Sequence, residues 1–575
     1  MLSRRTFLGC AAAGATLART AAGANAGHLR EFAYPDVTLT GGPLKAQYDW
    51  VKQHFLSLDN DRLLKVYRQR AGLPAPGEDM GGWYDADGFV PGHTIGQYIS
   101  GLSRMYASTR DPAAAAKARA LVEGYATTIG PNGYPYASEK AAVTWPCYVL
   151  DKYVVGLLDA NRLAGVGPAR ELVGRVIRGA IPHIPDHTYD RGPDSPKQAP
   201  YDEPYILPEN LFHAHELTGD RRFLEMARLY LLDHEYFDPL AQGRNLLPGK
   251  HAYSHVIALS SAAKAYESLG EEKYLRAIRN AWDMIDEGQR FASGGWGPKE
   301  AFVPPHEGKL GESIFTSREH FETPCGAYAS MKLARYLLRF TGEARYGDGL
   351  ERVLYNTILG SIQPTDNGDY FYYSDYQSGA RKGYYKRKWP CCSGTLVQGV
   401  ADYAISAYFH DDRGVYVNLY TPSTVRWKAG TVPVSITQST IYPHGEEILL
   451  QIDLPQPSKF DLHLRIPGWL QGSATIRVNG RSLDVAAAPG TFATVNRNWR
   501  KNDRIELRLP SADRTEAIDD RHPDTVAMMR GPLMMVAVNP PAGPLEARAR
   551  GLRMEPFYGV TGETYTTYFQ TKPKA

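Results

Sequence analysis

One carboxylate and three thiols in the chain are spaced as ligands for a soft metal ion: Glu322 and Cys325 in Glu322-Thr323-Pro324-Cys325, and the vicinal pair Cys391-Cys392. Thr323 suits a helix N-cap and Pro324 the first helical position. Cys325 then falls in a first turn, where the helix dipole favours a thiolate, and Glu322 lies just outside the same helix end. The segment Trp389-Pro390-Cys391-Cys392-Ser393-Gly394 also precedes a helical run, 396–409. Such a donor set suits four-coordinate zinc. The competing role for these cysteines is that of small buried hydrophobes, which is also the role expected of Cys147. Vicinal cysteines bridge each other only with strain, and so few of them make no disulfide scaffold.

The aromatic residues suggest a partner for such a centre. The chain has 37 tyrosines, and runs such as Tyr370-Phe371-Tyr372-Tyr373 and Tyr384-Tyr385 offer flat faces with hydroxyl handles, as a sugar requires. Core packing accounts for most of the others. Lys386-Arg387-Lys388 suits either an acidic glycan or a solvated loop.

The elements that must position these residues fall into two halves. From about residue 40 to 410, apolar residues recur every three or four positions, as in 113–125, 148–163, 211–232, 256–285 and 328–340. A turn motif repeats between them: Leu217-Thr218-Gly219-Asp220, Leu269-Gly270-Glu271-Glu272 and Phe340-Thr341-Gly342-Glu343, with Ser108-Thr109-Arg110-Asp111-Pro112 as a degenerate copy. Repeated helical hairpins over this length predict a closed toroid, with an open solenoid as the alternative. After Gly414 the pattern becomes short β-rich runs separated by Gly, Pro and Asn turns, which predicts one or two β-sandwiches.

Charge and the N-terminus bound the setting. Lys and Arg total 65 against 62 Asp and Glu, but Arg4, Arg5 and Arg19 lie in an apparent export signal. Without them the balance is even, which argues against a nucleic-acid binder. Ser3-Arg4-Arg5-Thr6-Phe7-Leu8, a weakly apolar run and Ala24-Asn25-Ala26 read as a twin-arginine signal over 1–26. The expectation is export by that machinery to the periplasm or medium. No later segment has about 18 uninterrupted apolar residues, so no membrane span is expected.

Several motifs carry a family resemblance. Gly82-Trp83 with Gly92-His93-Thr94-Ile95-Gly96-Gln97-Tyr98, Gly249-Lys250-His251-Ala252, Leu354-Tyr355-Asn356-Thr357-Ile358-Leu359-Gly360 and Cys391-Cys392 occur in shared order. Gly414-Val415-Tyr416-Val417-Asn418-Leu419-Tyr420, Arg530-Gly531-Pro532-Leu533, Pro556-Phe557-Tyr558 and Tyr565-Thr566-Thr567-Tyr568 continue the order. The chain thus resembles the bacterial β-L-arabinofuranosidase group, glycoside hydrolase families 127 and 146.

The resemblance implies an all-α (α/α)6 barrel over 27–410 followed by all-β sandwich domains over 411–575. It also implies a retaining hydrolase with a zinc-bound cysteine as nucleophile. Cys391 matches the nucleophile, and Glu322, Cys325 and Cys392 match the other zinc ligands. Glu300, in Lys299-Glu300-Ala301-Phe302 after Gly294-Gly295, matches the acid/base; Glu312 in Gly311-Glu312-Ser313 competes with it. Sugar-contact candidates are His93, His251, Glu209 and Tyr373, with a satisfied core role as the alternative for each histidine. Two features depart from the group: two residues rather than one separate Glu322 from Cys325, and Asp151-Lys152 stands where many relatives have a histidine-containing sugar contact. Lys152 would suit a carboxylated sugar. The expected substrate is a terminal β-L-arabinofuranosyl or similar unit of a plant-type oligo- or polysaccharide. The alternatives are a carboxylate-driven hydrolase or lyase on the same barrel, and a noncatalytic glycan-binding envelope protein.

Overall fold

The computed structural model describes residues 29–191, 202–541, 543, 545–547 and 551–571; the signal expected at 1–26 lies outside the described residues. Among the described residues, twelve of the helices of the N-terminal body build its two layers: α1 (Gly42–Ser57), α2 (Ile95–Thr109), α3 (Pro112–Thr127), α4 (Pro146–Ala164), α5 (Pro168–Ala180), α6 (Pro208–Thr218), α7 (Arg221–Tyr230), α8 (Ala252–Leu269), α9 (Glu272–Gly288), α10 (Thr323–Thr341), α11 (Ala344–Asn356) and α12 (Cys392–Ala401). The even-numbered helices close a ring, each packing on the next and α12 returning to α2. Outside it, α3, α5, α7, α9 and α11 each back the preceding inner helix, and α1 covers α12 and α2. This is the expected (α/α)6 barrel. Sequence patterning explains the two layers. On α9 only a stripe including Tyr274, Ile278, Trp282 and Ile285 is buried, whereas α8 is buried on nearly every side from Ala252 to Tyr266.

The repeated turn motif is the inner-to-outer connection. Gly219, Gly270 and Gly342 end α6, α8 and α10 in the left-handed region at φ 76°, 72° and 69°, and Arg110 ends α2 there at 58°. An acidic residue follows each as N-cap of the outer helix; Asp111 and Asp220 accept from the backbone N–H groups of Ala113 and Arg222.

The β-rich half begins at Tyr408, and it also draws on the N-terminal segment and on one barrel loop. Five strands run Arg30–Glu31, Tyr408–His410, Gly414–Val417, Ser458–Ile466 and Thr491–Trp499. Seven strands, ending in Ser423–Ala429 and Val37–Leu39, make the second sheet, and the two share one core. A third sheet orders Asp513–Ala517, Thr525–Arg530, Leu533–Val538 and Thr564–Thr566, then takes Ala380–Arg381 from a barrel loop as its edge. Met529, Met534, Val536 and Phe557 of this last unit pack on Phe291, Leu310 and Ile314, so it braces the barrel loop that carries Glu300. No helix of the described residues is long and apolar enough to cross a membrane.

The closest inner-helix approach rests on two glycines. A Cβ on Gly96 of α2 would lie 1.8 Å from the Lys152 carbonyl oxygen of α4, and one on Gly156 would lie 2.3 Å from the Gly96 carbonyl oxygen. Both obstacles are backbone, so relief requires parting the helices. Gly96→Ala is therefore expected to cost about 1–3 kcal/mol or more and to lower the thermal unfolding midpoint. Gly167→Ala, at an αR position with nothing within 4 Å, should leave it unchanged or slightly raised; equal midpoints for both variants in differential scanning calorimetry would contradict this packing.

Candidate active site

Inner-helix N-termini converge at one mouth of the barrel. Glu322 is the N-cap of α10, with Cys325 in the first turn; Cys391 is the N-cap of α12, with Cys392 first in the helix. His251 is the N-cap of α8, His93 stands two residues before α2, and Tyr148 lies in the first turn of α4. The cap of α10 is thus Glu322, one residue earlier than expected, while the Thr323 hydroxyl bonds to the Phe321 carbonyl oxygen and to Ser374. Even so, the two-residue spacing brings Glu322 and Cys325 together.

Glu322, Cys325, Cys391 and Cys392 place one donor atom each within 4.8 Å of one another, and all are buried. Cys325 Sγ lies 3.4 Å from Cys391 Sγ and 3.3 Å from Cys392 Sγ, while Cys391 Sγ is 3.3 Å from Glu322 Oε1. Burial pushes Glu322, Cys325 and Cys392 well above their ordinary pKa values, and the charge on Cys391 adds to it. Cys391 alone is held well below: burial opposes ionisation, but hydrogen bonds from Cys325, Cys392 and Tyr372 outweigh it. The set therefore fits a thiophilic cation. Its donors are sulfur-rich, and Glu322 Oε2 is a buried oxygen with no hydrogen-bond partner.

Beside this cluster stands Glu300. Its segment is left-handed at Gly297 (φ 68°), Lys299 (56°) and Glu300 (63°), which is costly for the two non-glycines. The Lys299 N–H donates to the Glu319 carbonyl at 2.7 Å, and Ala301 pairs as a bridge with His251, fixing the kink. The Glu300 carboxylate accepts from Tyr373 and, at 3.0 Å, from Tyr372; its other oxygen lies 3.4 Å from His251 Nε2. Burial alone would raise Glu300, but His251, Tyr373 and Tyr372 hold it below the usual carboxylate value. Burial and Arg191 press His251 down, yet Glu203 and Glu300 outweigh them and raise it. Glu203, buried beside Arg191, is held down at about 2. Tyr372 also lies 3.5 Å from Cys391 Sγ, so one hydroxyl touches both the thiol and the carboxylate.

The other candidates divide. His93 is fully buried, with Nδ1 2.6 Å from the Val90 carbonyl oxygen and Nε2 without a partner; burial lowers its pKa to about 4, and the Cys391 charge acts on it. Lys152 is buried and pairs with Asp151 at 3.0 Å, its ammonium 4.5 Å from the centre of the Tyr148 ring, while Asn210 donates to Asp151 at 2.6 Å. Its charge is thus already matched within the wall. Glu209 is not brought to the cluster: it pairs with Lys332, accepts from Tyr336 at 2.9 Å, and lines a cavity deeper in the barrel. Glu312 is exposed on the short helix Lys309–Thr316, paired with Lys309, so of the two acid/base candidates only Glu300 reaches the cluster. Sequence reasoning missed Tyr148 and Glu203 as site residues, and named Tyr372 only as part of an aromatic run. A signal for Tyr372 lay in its aromatic run: Tyr373 pairs in register with Glu322, and the Thr323 N–H donates to the Tyr372 carbonyl.

Comparison with known proteins bears on the family and the fold. The profile described as "Beta-L-arabinofuranosidase, GH127 catalytic domain" matches residues 36–404, and that of the GH127 middle domain matches 414–511. The non-reducing end beta-L-arabinofuranosidase of Bifidobacterium longum subsp. longum is 22% identical over 386 residues, covering 56% of this chain and 55% of that protein. The chain thus spans about half the length of the curated relative it matches. A solved GH127 beta-L-arabinofuranosidase from Geobacillus stearothermophilus T6 superposes with TM-score 0.71 at 17% identity, covering 93% of this chain and all of that one. Another solved GH127 beta-arabinofuranosidase gives 0.73 at 18% identity over 95% and 98% of the two chains. At these identities the structures speak for the fold.

The donor set predicts about one tightly held thiophilic ion per folded chain. Elemental mass spectrometry of the purified protein should find it, and Cys325→Ala should lose most of it. Metal-free protein prepared without chelator would speak against the assignment.

Proposed function

The chain belongs to the GH127 β-L-arabinofuranosidase family, and from that premise we propose that it is a retaining, exo-acting hydrolase of furanosides, with Cys391 as nucleophile and zinc as its metal. The substrate of this reading is a terminal β-L-arabinofuranosyl or similar unit of a plant-type oligo- or polysaccharide. The observation that supports it is the shared hydroxyl: Tyr372 lies 3.5 Å from Cys391 Sγ and 3.0 Å from the Glu300 carboxylate, a spacing that suits a thiol nucleophile and a carboxylate acid/base acting on one sugar.

Glu322, Cys325, Cys391 and Cys392 would hold the zinc. When bound, it supplies the positive charge that keeps thiolates ionised at neutral pH. The Cys391 sulfur attacks the anomeric carbon as the glycosidic C–O bond breaks, and Glu300 gives a proton to the leaving oxygen. His251 and Glu300 lie side by side and share that proton, the histidine raised and the carboxylate lowered. Glu203 and Ser254 hold His251 Nδ1 at 3.2 and 2.9 Å and so orient the pair. In the second half, Glu300 as carboxylate takes a proton from water, whose oxygen displaces the Cys391 sulfur. Two displacements retain the anomeric configuration. Tyr372 keeps a hydrogen bond available to whichever of sulfur and carboxylate carries charge.

The signal read at residues 1–26 supports an extension of this proposal to location: twin-arginine export of the folded chain to the periplasm or medium.

Turnover of an aryl β-L-arabinofuranoside tests the assignment. Cys391→Ser is expected to lower kcat by about 10³-fold or more, and NMR of the wild-type reaction should detect the β-anomer first. Glu300→Gln should cost most on poor leaving groups, whereas Glu312→Gln should stay near wild type. Full turnover by Cys391→Ser would transfer the chemistry to carboxylates and leave the cysteines structural.

A further inference from the structure

Tyr385 continues the wall of the site toward solvent. Its ring stacks on Tyr372 at 4.4 Å and 23°, and meets Tyr373 and Trp83 edge-on at 6.0 and 6.1 Å. Backbone pairing fixes it there: the Tyr385 N–H donates to the Tyr370 carbonyl at 2.8 Å, and Phe371 bridges Tyr384. Phe89 packs on Trp83 in turn, at 4.6 Å, and is itself exposed. Trp83 is nine-tenths buried, yet its indole Nε1 has no hydrogen-bond partner.

The basic run follows Tyr385 directly and ends three residues before Cys391. Its far end is pinned as well. The Trp83 N–H donates to the Lys388 carbonyl at 3.0 Å, the Trp389 N–H to the Gly368 carbonyl at 2.9 Å, and the Trp389 indole to the Met80 carbonyl at 2.6 Å. Gly82 is required by this crossing, since a Cβ there would lie 2.2 Å from the Lys388 oxygen. Lys386, Arg387 and Lys388 therefore arch outward from a backbone held at both ends, and all three are exposed. Lys388 reaches Asp369 at 3.9 Å; among the described residues Lys386 and Arg387 have no ion-pair partner. The Arg387 charge is near enough to Tyr385 to act on its hydroxyl, alongside those of Glu300 and Cys391. Glu319 is a third acidic charge acting on the same ring.

We infer that Tyr385, Trp83 and Phe89, with Lys386 and Arg387, form a leaving-group subsite for a uronic-acid sugar. The rings take the sugar's apolar face and the two cations its carboxylate. This rests on the hydrolase reading above, and it places the anionic unit on the far side of the scissile bond, away from Lys152, whose charge Asp151 already meets.

Isothermal titration separates the two claims because it needs no turnover. Trigalacturonate should bind the zinc-loaded wild-type protein at least about tenfold more tightly than neutral xylotriose, and added salt should erode the difference. K386A/R387A should lose that preference while keeping its thermal midpoint, and K386E/R387E, a second exposed pair, should reverse it. Equal binding of the two trisaccharides to wild type, or a preference that survives both double variants, would overturn the subsite even in an enzyme that cleaves arabinofuranosides. Conversely, a lost preference in protein inactive on every furanoside would uphold the subsite and sink the hydrolase reading.

Discussion

Four acidic donors packed within 4.8 Å and shut off from water cannot all carry charge by themselves. Each added negative charge raises the next group's pKa, and desolvation raises all of them. Only Cys391 escapes, because its neighbours donate to it. The barrel answers this constraint in its geometry. Inner helices meet the cluster with their N-termini, where unpaired N–H groups and the helix dipole present partial positive charge. Dipoles of this size favour one thiolate, not four charges. Ionising the remaining groups as well would take a cation, and in that respect the donor set suits a metal.

Glu300 depends on a second, mechanical constraint. Two successive non-glycine residues in the left-handed region persist only where their surroundings over-determine them. Those surroundings come largely from the far end of the sequence. The Ala292 N–H donates to the Tyr568 hydroxyl at 3.0 Å, and the Gly311 N–H to Asp519 at 2.7 Å. Tyr565 bonds to the Asp375 carbonyl at 2.6 Å, and Tyr376 to Ser293 at 2.6 Å. The third sheet thus clamps both sides of the loop that turns Glu300 toward Tyr372. That gives the C-terminal domain a direct bearing on the chemistry without a residue in it.

Much of this was legible in the sequence, for reasons that differ by element. The helical hairpins were visible because their turns need a left-handed residue and an acidic cap, and those signals recur at Gly219, Gly270 and Gly342. The ligand cluster was visible because two helix starts carry its cysteines. Strand Thr491–Trp499 was not singled out, its alternating outward positions including Asn496 and Asn498. Neither were the N-terminal strands Arg30–Glu31 and Val37–Leu39, which are short and paired with segments nearly 400 residues away. Within the site, periodicity did not separate Tyr372 from Tyr373: the strand that pairs with Glu322 is only Tyr373–Ser374, and Tyr372 stands immediately before it. Glu209 looked like a sugar contact by type, yet the short α6 starts deeper in the barrel and gives it to Lys332.

The opposite mouth of the barrel shows why the chemistry has one address. A cavity of about 590 Å³ opens there, lined from the later turns of α2, α4, α8 and α10 and by Arg30–Pro35. It is dense in charge, but the charges are spent on one another. Arg104 meets Asp159 at 2.8 Å and Asp402 at 3.1 Å, Arg335 meets Asp402 at 2.7 Å, and Lys264 meets Glu216 at 2.6 Å. Helix C-termini present partial negative charge, so cations gather where they are stabilised and carboxylates where the cations need partners. Size and charge alone do not make a site. At the N-terminal mouth the same helices leave a thiolate stabilised, a carboxylate aimed by strain, and buried atoms of Glu322 and His93 without partners. The polarity of α2, α4, α8, α10 and α12 therefore sets the cysteine end of the barrel apart from the charge-paired end, before any particular sugar enters the argument.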